Sequence, residues 1–203
     1  MILHLENVSR RYGRVEALKS TTLEIHAGAG VALTGPNGCG KSTLLKIAAG
    51  LLRPTTGRVS LFAADPWKDR SVRGRAGYLG HELGLYDELT GPENLRFFAA
   101  LYGVEDAERK LAGALETAGL PPAMRIAAYS RGMKERLALA RAMIHDPEFL
   151  LLDEPTTGLD EASTTRLAQV IRRWREEGRA VLVSTHDPAF ASAAGLTIRS
   201  LVS

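Results

Sequence analysis

The densest run of chemistry in the chain is nine consecutive residues, Gly35, Pro36, Asn37, Gly38, Cys39, Gly40, Lys41, Ser42 and Thr43. Glycines at these spacings let backbone N–H groups turn inward around a phosphate, and a helix starting at the end of the loop adds its positive dipole end. Lys41 then reaches the β- and γ-phosphates, and the Ser42 hydroxyl ligates Mg²⁺. Such a loop needs a strand before it and a helix after it. VALT at 31–34 and the LLKIAAGLL run beginning at Leu44 supply both. Cys39 is read either as a small packing residue or as a reactive thiol at a helix start.

Three other places carry polar groups at the ends of apolar elements. Phe149 to Leu152 is an apolar strand that delivers Asp153 and Glu154. Read alone, the pair fits a solvated strand exit. Beside a phosphate loop, Asp153 fits a Mg²⁺ anchor, and Glu154 fits the group that orients or deprotonates a water attacking the γ-phosphate. Ser130 is a natural N-cap for the helix KERLALARAM, and Gly132 leaves the N–H groups of its first turn open to an anion; an ordinary capped helix fits equally well. His186 follows the strand AVLVST, where it can donate a hydrogen bond to a γ-phosphate or serve only structure.

The elements that must position these groups are legible in outline. Residues 2–8 and 21–25 alternate apolar with polar, which predicts an antiparallel pair around a turn at Gly13. RVSLF after the RPTTG turn is another strand. From Pro92 to His145 the period is helical, with Gly103 and Gly119 at C-terminal cap positions. After Asp160, a helix places Leu167, Val170, Ile171 and Trp174 on one face and stops at Gly178. Strand AVLVST and the closing LTIRSLV complete an α/β chain with a largely parallel sheet.

Composition narrows the function classes. Lys plus Arg number 26 against 23 Asp plus Glu, a net charge of +3. That is too weak for nucleic-acid binding without a basic stripe, and Arg172, Arg173 and Arg175 are read as one wet helix face. A single cysteine excludes an internal disulfide framework. No stretch is long and apolar enough to span a membrane, and MILHLENVSRRYG does not read as a signal peptide.

In combination these motifs resemble the nucleotide-binding subunit of an ABC transporter, over essentially the whole chain. GPNGCGKST resembles the Walker A motif, LLLDEP at 150–155 the Walker B motif with its catalytic glutamate, YSRGM at 129–133 the LSGGQ-type signature, and TTGLD, ending at Asp160, the D-loop. His186 matches the switch histidine, and Tyr12 the aromatic residue that stacks on adenine. The resemblance implies a P-loop NTPase (RecA-like) core with an N-terminal antiparallel β subdomain, formed by 1–80 and 147–203, and an inserted helical subdomain at 81–146. It also implies ATP and Mg²⁺ as ligands. Two copies, or this chain and a paralogous ATPase subunit, close head to tail around two ATP molecules. Ser130 and Gly132 of one then meet the phosphate held by Lys41 of the other. The partner that moves cargo is an integral-membrane permease, with this subunit peripheral on its cytoplasmic face; no nucleic acid is expected.

Two departures from the family pattern stand out. Arg131 replaces the signature's first glycine and Met133 its glutamine. In the hinge run GYLGH, followed by LTGPENL, His81 falls where the family carries a glutamine. Its imidazole is a candidate Mg²⁺ or water contact, with Glu82 beside it and a solvent-facing loop as the other reading. GHELG resembles the GHQ-x-G run of haem exporters of cytochrome c maturation, which makes haem export the expected cargo. SRGMKERL is equally at home in drug or sodium efflux ATPases. Soluble ABC ATPases of ribosomes or DNA carry two cassettes or coiled-coil insertions that this sequence lacks, and Glu154 speaks against a nucleotide sensor without turnover.

Overall fold

The computed structural model describes residues 1–201. Its first element is the hairpin read from the alternation: β1 (Leu3–Tyr12) pairs antiparallel with β2 (Val15–Ile25) around Gly13, whose φ of 57° is a left-handed conformation that glycine adopts freely. β4 (Thr56–Leu61) joins the other edge of β1 to give a three-stranded sheet. The second sheet is five-stranded and parallel, in the order β5 (Ala76–Leu79), β6 (Phe149–Asp153), β7 (Ala180–Ser184), β3 (Gly30–Thr34) and β8 (Thr197–Ser200).

β6 and β7 are buried along their whole length, which is why they read as unbroken apolar runs rather than alternating ones. Successive side chains still point to opposite faces. Phe149 and Leu151 pack with Leu44, Leu45 and Ile47 of α1 (Lys41–Ala48) and with Leu3 and Leu5 of β1, so this cluster joins the two sheets. Leu150 and Leu152 face the other way, against Leu167 and Ile171 of α5 (Glu161–Glu176) and Phe190 of α6 (Pro188–Ala193).

A third cluster holds α2 (Gly91–Leu101), α3 (Ala107–Ala118) and α4 (Arg131–Met143) together through Leu95, Leu111, Leu115 and Leu137. α2 starts with a capping box: Thr90 accepts from the Glu93 N–H, while Glu93 accepts from the Thr90 N–H at 2.7 Å. Gly119 caps α3 with φ 60°, as its position predicts.

Three features differ from the sequence reading. The run at Gly77 is not all loop, because Ala76–Leu79 forms β5 against β6. Gly77 is there for closeness: a Cβ on it would lie 2.2 Å from the Ala142 carbonyl oxygen of α4. Residues 188–193 form a short helix, where no helix is expected. Finally, the arginine face of α5 is not simply wet. Arg175 is half-buried, donating from Nε to the Gly28 carbonyl at 3.3 Å and from its terminal nitrogen to those of Ala194 and Gly195, so it ties α5 to the loops beside β3 and β8. Arg172 donates to the Ala193 carbonyl at 2.6 Å.

Candidate active site

In an open parallel sheet, ligands bind beyond the carboxyl ends of the strands, and three neighbouring strands here end in the residues read as functional. β3 runs into the glycine loop, β6 ends on Asp153, and β7, which lies between them, leads to Thr185 and His186. Parallel pairing in register, with Asp153 opposite Ser184 and Leu33 opposite Ser184, brings these exits level.

The loop is built to expose its backbone. Gly35, Gly38 and Gly40 have φ of 138°, 81° and 99°. At Gly40 the constraint is also steric, since a Cβ would lie 2.6 Å from the Ala17 carbonyl oxygen. Gly40 is the N-cap of α1, so no side chain occupies the helix N-terminus, and no acid lies in its first turn. An incoming anion therefore meets N–H groups rather than a competing carboxylate. The Lys41 ammonium is buried and donates to the carbonyls of Gly35 at 2.9 Å and Pro36 at 3.2 Å. Those bonds hold the cation inside the arch of the loop. Asn37 and Gly38 stand exposed on the arch, Ser42 and Thr43 in the first turn of α1. Cys39 is buried in the cluster beneath, its sulfur 2.9 Å from the site of a Gly35 Cβ, which is the packing reading rather than the chemical one.

Asp153 is 7% exposed and accepts from the Ser184 hydroxyl at 2.5 Å. The same Ser184 oxygen accepts from the Glu154 N–H at 2.9 Å, and its carbonyl accepts from that N–H at 3.1 Å. Ser184 thus fixes both acids, and sequence reasoning missed it; the signal was a polar residue closing an apolar strand. Glu154 has φ 49°, a left-handed conformation costing a non-glycine residue on the order of 1 kcal/mol. Its Oε1 lies 3.2 Å from Nε2 of His186, yet the approach is off the line of a hydrogen bond. Oε1 remains a buried acceptor with no donor among the described residues.

The second group of residues gathers at the starts of α4 and α5. Ser130 caps α4, accepting from the Met133 N–H at 3.3 Å, and Asp160 caps α5, accepting from the Ser163 N–H at 2.7 Å. That N–H, the Ser163 side chain and then the Arg136 and Arg166 charges hold the Asp160 carboxyl below the usual carboxylate range. The two caps are neighbours: a Cβ on Gly132 would lie 2.9 Å from the Gly158 carbonyl oxygen, and the Arg131 side chain lies against Gly158. Met133 is half-buried in the helical cluster, so it packs where the family's glutamine is polar.

Tyr12 ends β1 and is half-exposed, with the Arg10 guanidinium 4.4 Å from its ring centroid. Gly40 packs on Ala17 and Leu18, and Leu18 pairs with Arg10, so Tyr12 lies two residues along β1 from the point that borders the loop. His81 is exposed beyond β5, with no hydrogen bond or ion pair to Ser42 or Asp153 among the described residues. On the neighbouring α4, burial pushes the Glu135 carboxyl up, with the Arg131 charge opposing it. The donors present suit Mg²⁺, which takes oxygen ligands from one or two carboxylates, a hydroxyl and substrate phosphates. Asp153 and Ser42 are such groups.

Comparison with known proteins supports the same assignment. The family described as ABC transporter matches residues 18–157. The chain is 37% identical over 195 residues to the ABC transporter ATP-binding protein NatA of Bacillus subtilis, covering 91% of this chain and 79% of that one. It is 34% identical to the lantibiotic transport ATP-binding protein SrtF of Streptococcus pyogenes, covering 91% and 80%. To the linearmycin resistance ATP-binding protein LnrL of Bacillus subtilis it is 32% identical, spanning 91% of this chain but 61% of that one. Among solved structures, an ATP-binding subunit of an ABC transporter superposes with a TM-score of 0.91 at 30% identity, over 99% of this chain and 86% of the other. A dimeric, post-hydrolysis cassette, MJ0796 bound to ADP and Pi, gives 0.89 at 29% identity, over 98% and 94%. The chain belongs to the ABC transporter family, as one of its ATP-binding ATPase subunits.

Proposed function

We propose that this subunit hydrolyses ATP between two head-to-tail copies, or between itself and a paralogous subunit, and so drives a separate integral-membrane exporter. The observation that carries the reading is Glu154. Its Oε1 is a buried acceptor without a donor among the described residues, in a left-handed turn fixed by Ser184, between the exit of β6 and His186. Such an oxygen is suited to take the proton of a water attacking the γ-phosphate. Lys41, released from its two loop carbonyls, meets the β- and γ-phosphates, and the N–H groups of Gly38 and of Gly40 to Thr43 surround them. Mg²⁺, when bound through Ser42 and Asp153, neutralises phosphate charge. His186 donates to the γ-phosphate, and Tyr12 stacks on adenine. Ser130 and Gly132 of the second copy close the site, with Asp160 holding the adjoining cap.

An exposed apolar surface on the helical side supports a membrane partner. Tyr86, Phe97 and Leu101 are 46%, 45% and 68% exposed, with the Tyr86 and Phe97 rings edge to face at 5.1 Å. No helix among the described residues is long and apolar enough to cross a membrane, so the permease is another chain in this reading. For cargo, relatives named for lantibiotic transport and linearmycin resistance favour export of an antibiotic or related compound. Haem export rests on the Gly80 to Gly84 run alone, and none of these relatives is named for it. The deciding experiment replaces Glu154 with Gln. Turnover should fall by about 10²- to 10⁴-fold, and the variant should accumulate as an ATP-bound dimer; a monomer with normal turnover overturns the reading.

A further inference from the structure

A groove of about 640 Å³ opens between α3, α4 and α5, away from the strand exits. That volume falls within the roughly 300–1,000 Å³ of small-molecule sites. Its floor is apolar and half-buried, formed by Ala114 of α3, Leu139 and Met143 of α4, and Val170 of α5. Its rim is cationic, with Lys110 on one wall and Arg166 and Arg173 on the other. The two arginines stand two helical turns apart, about 10 Å along α5. Asp146, the one acid among the described lining residues, is already paired with Arg179. An apolar trough whose rim carries Lys110, Arg166 and Arg173 complements a ligand with a hydrocarbon body and a single anionic end.

We propose that this groove binds a free acyl carboxylate, its chain along Ala114, Leu139 and Val170 and its carboxylate between Arg166 and Arg173. The site is not remote from the chemistry. α4 and α5 form its two long walls, and their first turns are the Ser130 and Asp160 caps that touch through Gly132 and Gly158. Arg136 of α4 joins the third wall, donating to the Ala118 carbonyl of α3 at 2.8 Å and to the Gly132 carbonyl of its own helix at 3.4 Å. An occupant therefore holds α4 against α5 and slows turnover. That consequence rests on the ATPase reading above, whereas the binding does not.

Equilibrium dialysis of the full chain against decanoate, decanol and acetate tests the site. One decanoate per chain should bind saturably, decanol about tenfold or more weakly, and acetate not measurably. Arg166→Ala combined with Arg173→Ala should lower decanoate affinity about tenfold, and Val170→Trp should abolish binding, both with ATP binding retained as the check on folding. If the Trp variant fails to fold, the arginine variant decides alone. Equal binding of decanol, or decanoate binding indifferent to the arginines, overturns the proposal. So does arginine-dependent capture by phosphatidylglycerol vesicles with no binding of monomeric decanoate, which would make the rim a lipid-headgroup contact. Decanoate that binds as described but leaves ATP turnover unchanged overturns the regulatory consequence only.

Discussion

Glu154 Oε1 and His186 Nε2 lie 3.2 Å apart at the ends of neighbouring strands, and they touch without sharing a well-aligned hydrogen bond. A loose contact leaves both groups able to turn towards a third. If that third is the γ-phosphate with its attacking water, His186→Ala should reduce ATP turnover by about 10²-fold, the scale of one lost donor at a developing charge. ATP affinity should stay close to that of the parent, because the glycine loop is untouched. Parallel kcat and nucleotide-binding measurements check this, and a selective loss of affinity would contradict it.

Ser184 is the hidden support of the same pair. Its hydroxyl donates to Asp153 and accepts from the Glu154 N–H, all in a buried setting. Ser184→Ala should cost about 1–3 kcal/mol, as expected for a charged group losing a buried donor. The urea midpoint should fall at unchanged slope. Turnover should fall further than the folded fraction does, since Asp153 loses its hydroxyl donor and the Glu154 N–H keeps only the Ser184 carbonyl. A purely structural role would move only the midpoint.

Arg131 puts a cation at the first turn of α4, beside the Ser130 cap, where the family has glycine. A cation there adds to the attraction of that helix end for the phosphate that the proposed dimer would bring to it. Arg131→Ala should therefore leave nucleotide binding by the isolated subunit intact and weaken ATP-dependent self-association about tenfold. Analytical ultracentrifugation of the Glu154→Gln form, with and without the Arg131 change, reads the difference directly. Equal association constants would assign Arg131 only to packing against Gly158.

The Asp160 cap carries its own pH signature. The Ser163 N–H lowers its folded pKa below the unfolded value of 3.8, so the ionised form is the one that folding favours. Its contribution is thus fully present above that unfolded value and is lost as the pH falls through the lowered folded one. Thermal melts of the parent and Asp160→Ala should differ at pH 6 and converge once the carboxyl is protonated in both states. A gap that persists unchanged at the acid end would mean the cap does not depend on charge.

How far the sequence leads depends on where each signal is stored. The glycine loop, the apolar β6 ending in two acids and the capped starts of α4 and α5 are local patterns, and local physics is enough to find them. β5 is not, because four residues containing Gly77 become a strand only through pairing with β6, and the reason for the glycine is the Ala142 carbonyl across the gap. Arg175 shows the same limit in reverse. Its helix-face position says solvent, while the loops folded back beside β3 and β8 supply the carbonyls that bind it. Ser184 needed knowledge of which strand lies next to β6. His81 is exposed beyond β5, and no local pattern sets it apart from an ordinary loop residue.

The close approach of Gly77 to Ala142 makes the signature helix a lever with a fixed fulcrum. The last turn of α4 is pinned to β5 there, and again where Arg141 donates to the Tyr78 carbonyl at 3.0 Å. The long arm runs back to Ser130, about 18 Å away at 1.5 Å per residue. A tilt of roughly 15° about that pivot would sweep Ser130 through about 5 Å, on geometry alone, with hardly any displacement at the sheet. A small push on the helical side is thereby magnified at the Ser130 cap, and a bulkier residue at position 77 would jam the pivot from the far end of the helix.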